Sequence, residues 1–402
     1  MTQDLLTNSG KPLFFRVDNA AELGLHPPAE RRGQSLRTRI RSLTVMQKEA
    51  LVVNSHTGLA WRLCSDEGAY LMGHDVAPPP LAFLTTGMVS SYMNEILALA
   101  RQRNLKLRDI RLVQDNFYTM EGSAVQGTMV GGALPVELTA HIDSDVEPGE
   151  LTKLLQDATA ASPLNGLMRG RLDSRFSLVH NGREIEPGKL HRLSALPAKE
   201  GATAFDAARP AAGDWETLVQ RGAPSPKLSQ TTSGAGSGLA ESQSRRLHVR
   251  GICTLREDGV KQIEQHLYQP HGTVFKFLSD EGTRNGGGGR APDAASYISA
   301  GIGFCFMTQL GRYAKIVKKD LRDYRIVQDT FFSFGGASDG TGRAGEADPV
   351  ETHVYLTTGE DDAFARTALD MAEQTCFLHA FCRTDMKVRF RIATLVDGGA
   401  PA

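Results

Sequence analysis

The sequence predicts an α+β fold built twice along one chain, and three observations predict it. The stretch LRDIRLVQDNF at 107–117 returns as LRDYRIVQDTF at 321–331, 214 residues later. At the same offset, with no net insertion, SDEG at 65–68 returns at 279–282 and PVE at 135–137 returns at 349–351. Within each copy, strand-like runs stand before, between and after two helix-like runs, the pattern of layered α+β domains rather than of a doubly wound sheet. A repeat this long exceeds a solenoid or propeller unit and marks a duplicated domain.

The elements follow in order. Each copy opens on strands, GLAWRLCSD in the first and GTVFKFLSD in the second. A helix follows, LAFLTTGMVSSYMNEILALARQR and AASYISAGIGFCFMTQLGRYAKIVKK, apolar for several turns and then basic, as suits a buried helix with an exposed C-terminal turn. The duplicated LRD runs and then PVELTAHID and PVETHVYLT read as strands. A second helix is expected over about 148–161 and 361–375, with acidic residues at its start. RFSLVHN and KVRFRIATL close the copies as strands. Leu155, Ala158, Leu164, Arg169, Arg175 and Phe176 return as Leu369, Ala372, Leu378, Arg383, Arg389 and Phe390.

The boundaries are an extension over 1–35, a first domain over 36–196, a linker over 197–243, a second domain over 244–396 and a tail over 397–402. The linker is rich in Gly, Ser, Ala and Pro, most clearly in its second half, and WETLV at 215–219 reads as a short element that docks on a domain.

A formal net charge of −1 gives no basic excess for nucleic acid, and no run of eighteen apolar residues predicts a membrane span. The start lacks the features of a secretory signal. Five cysteines, an odd and sparse set, argue against a disulfide scaffold and for a reducing cytoplasm.

Two of those cysteines break the symmetry of the repeat. Cys305, in GIGFCFMTQL, stands where the first copy has Ser91, and Cys376, in EQTCFLHAF, where it has Ser162. An apolar helix of the form A-x-x-x-C-F after a Gly-rich loop, with a second cysteine some seventy residues on at a helix end, resembles the OsmC/Ohr family: osmotically inducible protein C and the organic hydroperoxide resistance proteins. The resemblance covers 245–395, and 40–195 more weakly through the repeat. It implies a covalent pseudo-dimer, each half with strands packed around two central helices, and one dithiol site between the halves.

The resemblance further implies that Cys305 attacks an organic hydroperoxide as thiolate, that Cys376 resolves the sulfenic acid, and that an external dithiol such as dihydrolipoamide reduces the disulfide, with no cofactor. The expected partner is a small, apolar substrate. Ser91 and Ser162 are the degenerate counterparts. The family's thiol-activating arginine and acid have no direct match here; Arg39, Arg250 and Arg290, with Glu281 and Asp293, are the candidates, and His379 is a further candidate for activating or lining the site.

Two other readings stay open. Cys376, His379 and Cys382 stand at three-residue intervals and, with Cys305, offer soft ligands to zinc or copper, although C-x2-H-x2-C is not a usual zinc spacing; the second function is thus other sulfur or metal-dependent chemistry at Cys305, Cys376 and His379. A non-catalytic small-molecule binder is the third. Cys64 and Cys253, in strand-like runs, read as packing residues. GGGG at 286–289 lacks the Lys-Ser/Thr of a phosphate loop, His56 and His271 read as exposed turn residues, with lining of the site as the alternative, and the charges of the LRD runs read as a strand-surface pattern.

Overall fold

The computed structural model describes residues 3–195, 201–227 and 243–394. The elements that position the site are β1 (Gly33–Ser42), β2 (Lys48–Asn54), β3 (Ala60–Ser65), α1 (Pro80–Gln102), β4 (Asp109–Gly122), β5 (Glu137–Asp143), α2 (Pro148–Ala161) and β6 (Arg175–His180). The same order then repeats as β7 (Gln243–Leu255), β8 (Lys261–Gln269), β9 (Thr273–Ser279), α3 (Ala294–Ile316), β10 (Asp323–Ser333), β11 (Glu351–Thr357), α4 (Asp362–Thr375), the short α5 (Phe377–Cys382) and β12 (Arg389–Thr394). The fold is mixed α+β with two many-stranded sheets, and the predicted helices fall within two residues of their expected starts.

Neither sheet belongs to one stretch of chain. One runs β3-β2-β1-β10-β11-β6 and the other β9-β8-β7-β4-β5-β12. The joining pairs are antiparallel and equivalent: Val327 faces Arg39 across β10 and β1, and Val113 faces Ile252 across β4 and β7. Each sheet therefore takes three consecutive strands from one part of the chain, two from the other, and a last parallel strand from the first part again.

The inner faces of the sheets cover the helices. Successive strand residues point to opposite faces, so Thr38 and Ile40 face α3 while Arg37, Arg39 and Arg41 face away. The Thr38 hydroxyl lies 2.7 Å from that of Ser299, and a Cβ on Gly303 would stand 2.4 Å from Ile40 Cδ1. The two long helices touch through equivalent glycines. A Cβ on Gly87 would lie 2.5 Å from the Ala294 carbonyl oxygen, and one on Gly301 2.8 Å from Phe83 Cβ. Contact of residue 87 with 294 and of 301 with 80 and 83 means that the helices run antiparallel over this stretch. One core, with Phe83, Met88, Ile298, Phe304 and Phe306 fully buried, draws on both copies.

The N-terminal stretch is more than an extension: Phe14 is wholly buried against Phe83, Phe277 and Tyr297. In the expected linker, residues 204–207 form a helical turn and Val219–Pro224 pairs with β9. Trp215 of WETLV docks edge-on against Trp61 with ring centroids 5.9 Å apart. The Gly/Ser-rich second half, 228–242, lies outside the described residues. Among those residues no helix is long and apolar enough to cross a membrane.

Candidate active site

Cys305 lies midway along α3, on its buried face, where the chain is apolar for several turns. Cys376 ends α4 with extended backbone (φ −73°, ψ 117°) and caps α5, its sulfur accepting a hydrogen bond from the His379 backbone N–H at 3.5 Å. The Cys305 sulfur is near enough to act on the Cys376 thiol. Both are unbridged; Cys376 is wholly buried and Cys305 3% exposed. Burial, with the neighbouring Cys305 sulfur, pushes the Cys376 thiol well above its ordinary value. Cys376 is held protonated.

The serine counterparts stand in the same relation. The hydroxyls of Ser91 and Ser162 lie 2.7 Å apart, with exposures of 3% and 0% that match the two cysteines. The backbone thus brings these two positions together twice, with sulfur at one end and oxygen at the other.

Aromatic side chains wall the thiols. Tyr118, on the inner face of β4, is fully buried, its ring 5.7 Å from that of Phe377, and burial plus the three nearby sulfurs of Cys305, Cys376 and Cys382 hold its phenol un-ionised. His379 is buried between Phe176 and Phe306, at ring-centroid distances of 5.6 and 5.4 Å, with no hydrogen-bond partner on either ring nitrogen. Burial drops its pKa to about 3, so it is neutral. Gly131, in the hairpin after β4, closes the site from outside: a Cβ there would lie 2.8 Å from the Thr375 carbonyl oxygen.

The expected activating groups are elsewhere. Arg39 and Arg250 sit on the outer faces of their strands; Arg39 donates to the Gly24 carbonyl, and Arg250 is paired with Asp115 at 2.8 Å. Arg290 is half-exposed on the loop surface, paired with Asp280 at 2.8 Å. Asp293 caps α3, accepting from the Ser296 and Asn54 side chains, twelve residues before Cys305 and so about 18 Å along the axis. Glu281 serves the serine pair: it accepts from Asn94 at 2.7 Å and lines a small polar cavity of about 20 Å³ with Ser91, Glu95 and Asn285. The reason is the exchange of strands, which carries each SDEG loop to the helix of the other copy.

That exchange delivers different charges to the thiols. Lys48, at the start of β2, is fully buried, and the groups acting on its ammonium include Glu67, Asp66, the Cys305 sulfur and Arg312. Arg312 lies seven residues after Cys305 on the same helix face, and burial lowers its pKa. Glu67, raised by burial, accepts a hydrogen bond from Tyr70 at 2.8 Å. The sequence held one signal for this group, the repetition of SDEG, which marked Glu67 and Glu281 as equivalents.

Other expectations resolve here. Cys382 is buried on α5 with its thiol pushed up to about 12, as are Cys64 and Cys253 in their strands. Among the described residues no three His, Cys, Asp or Glu groups converge as metal ligands, so Cys376, His379 and Cys382 do not form a site. The spacing fails because His379 turns into the cage of Phe176 and Phe306. His56 is not an exposed turn residue: its ring lines the polar cavity, 2.6 Å from Asn285 Oδ1. His271 is exposed, as expected. Asp115 and Asp329 of the LRD runs are buried cross-strand partners of Arg250 and Arg37, not surface charges.

No family model matches the chain, and no curated protein does. Among solved structures, an OsmC-like hydroperoxide resistance protein from Jannaschia sp. CCS1 matches at 21% identity, over 32% of this chain and 79% of that one, with a TM-score of 0.20.

Proposed function

We propose that this chain is a duplicated OsmC-like protein, a pseudo-dimer in one polypeptide, that reduces organic hydroperoxides through Cys305 and Cys376. The observation that carries the reading is the buried pair of neighbouring thiols, one member of which is held protonated. In that arrangement Cys305 is the attacking sulfur. Its thiolate forms a bond to one peroxide oxygen as the O–O bond breaks, giving a sulfenic acid and an alcohol. The Cys376 sulfur then displaces the sulfenic hydroxyl as water, forming the disulfide. An external dithiol, of the dihydrolipoamide class, returns both thiols and leaves as its own disulfide. The rings of Tyr118, Phe377 and Phe306 support an apolar substrate, and the odd, sparse set of five cysteines supports a reducing cytoplasm.

The test is consumption of tert-butyl and fatty-acid hydroperoxides with dihydrolipoamide by wild type, Cys305→Ser and Cys376→Ser, with mass spectrometry of the oxidised protein. Turnover lost in Cys305→Ser and a Cys305–Cys376 bridge in wild type support the reading. Absence of both turnover and bridge overturns it.

A further inference from the structure

We propose that Lys48 is the charge partner of the Cys305 sulfur and the proton donor to the departing alkoxide. The proposal builds on the thiol-peroxidase reading and names the residue that would drive it.

The placement follows from the packing of α3 on β1 and β2. Ser299 stands over Thr38, Gly303 over Ile40, and Gly311 over the hairpin turn, where a Cβ would lie 3.2 Å from Val45 Cγ1. The helix thus runs alongside the strand toward that turn. Lys48 pairs with Ser42, between Ile40 and the turn, so it lies beside the stretch of α3 that holds Cys305. Its side chain points inward: Ala50 and Val52, on the same side of β2, belong to the core around the helices, whereas Leu51 and Val53 face the N-terminal layer.

The side-chain nitrogen is held by backbone carbonyls alone. It donates to the backbone carbonyls of Val45 and Met46, at 3.1 and 3.0 Å. Its equivalent, Lys261, is instead bound to Asn94 on α1, and Asn94 in turn to Glu281. The position of Asn94 is taken on α3 by Thr308, whose buried hydroxyl has no hydrogen-bond partner. The serine end ties its lysine to a helix side chain; the thiol end ties it to the carbonyls of its own hairpin turn. Burial lowers the pKa of Lys48 to about 8, within range of proton exchange at neutral pH.

The groups facing Lys48 are Cys305 and Arg312 from α3, Asp66 and Glu67 from the end of β3, and, beyond them, Tyr70 and Arg245 against Arg312 and Tyr118 against the thiols. The proton count closes. In its neutral amine form, within reach because its pKa is about 8, Lys48 takes the Cys305 proton and becomes the ammonium; the thiolate attacks; the alkoxide leaves with that proton, returning Lys48 to the amine. Cys376 then supplies its thiol proton to the sulfenic hydroxyl as water departs. Two thiols and one hydroperoxide become a disulfide, an alcohol and a water.

Two readouts need no peroxide, so they stand even if the peroxidase reading fails. In the first, the pH dependence of Cys305 alkylation by iodoacetamide is followed in wild type, Lys48→Met, Lys48→Arg and, as control, Lys261→Met. The expected result is an inflection raised by about one unit or more in Lys48→Met, restored in Lys48→Arg and unmoved in Lys261→Met. In the second, NMR titration of Lys48 should show its pKa falling in Cys305→Ser, a variant that leaves the lysine intact whether or not Lys48→Met folds. An inflection unmoved in folded Lys48→Met, or a Lys48 titration unmoved by Cys305→Ser, overturns the charge pairing. With turnover established, Lys48→Met should slow tert-butyl hydroperoxide about 10²-fold but peracetic acid less, because acetate leaves without a proton. Equal slowing of both overturns the proton-donor role.

Discussion

Replacing both Ser91 and Ser162 by cysteine should create a second disulfide at the far end of the molecule. The two oxygens already lie 2.7 Å apart, hydrogen-bonded to each other, at positions as buried as the native thiols, and a disulfide needs about 2.05 Å between sulfurs with little backbone movement. Each pair is separated by 71 positions, so each bridge closes the same length of chain. Loop-closure entropy for that length withholds about 4 kcal/mol from the unfolded chain before any strain is deducted. The double variant carries seven cysteines; full oxidation with diamide should leave three free, Cys64, Cys253 and Cys382, the same three as in oxidised wild type. Mass spectrometry of alkylated peptides reads the bridges, and the melting temperature should rise further on oxidation than in wild type. A native bridge that forms while the two introduced thiols stay free would refute the equivalence of the two ends.

Three further outcomes are expected. Gly87→Ala and Gly301→Ala each force a methyl group into the contact between α1 and α3, and each should lower stability by about 1–3 kcal/mol in urea unfolding; a gain in stability would show that the helices part easily. His379 binds its proton in the unfolded chain at about pH 6.5 but in the folded protein only near pH 3, so stability is whole above 6.5 and is lost as pH falls between these values. His379→Leu should remove that loss, and an acid-unfolding midpoint unchanged in the variant would count against the buried neutral ring. Cys382→Ser should cost about 1–3 kcal/mol, by burying a hydroxyl among apolar neighbours, while leaving the Cys305–Cys376 bridge intact under diamide; a bridge lost with Cys382 would assign it to the redox pair.

The sequence disclosed what is local and what is repeated. The apolar runs ending in basic residues marked α1 and α3, and comparison of the copies isolated Cys305 and Cys376 as the two positions where sulfur replaced oxygen. It did not disclose which half supplies the charges. Glu281, Arg290, Asp293 and Arg250 are on the cysteines' own copy, but antiparallel pairing of β10 with β1 and β4 with β7 joins residues far apart in the chain, and no local pattern records it. Arg39 is on the copy whose strands reach the thiols, yet strand alternation points it outward, whereas Lys48 points in. His379 was legible as a polar residue near sulfur, but only the positions of Phe176 and Phe306 show its ring enclosed by them.

The alternation of strands between copies also governs how the chain is born. When the first copy leaves the ribosome, β1 and β4 each present an open edge whose partners, β10 and β7, are not yet made. Residue 333 must emerge before β10 can cover β1. Until then the nascent chain holds two unpaired edges and the apolar faces of both half-sheets, the condition under which chains join with their neighbours. A copy expressed alone should carry that exposure permanently, and its natural remedy would be a second molecule of the same half.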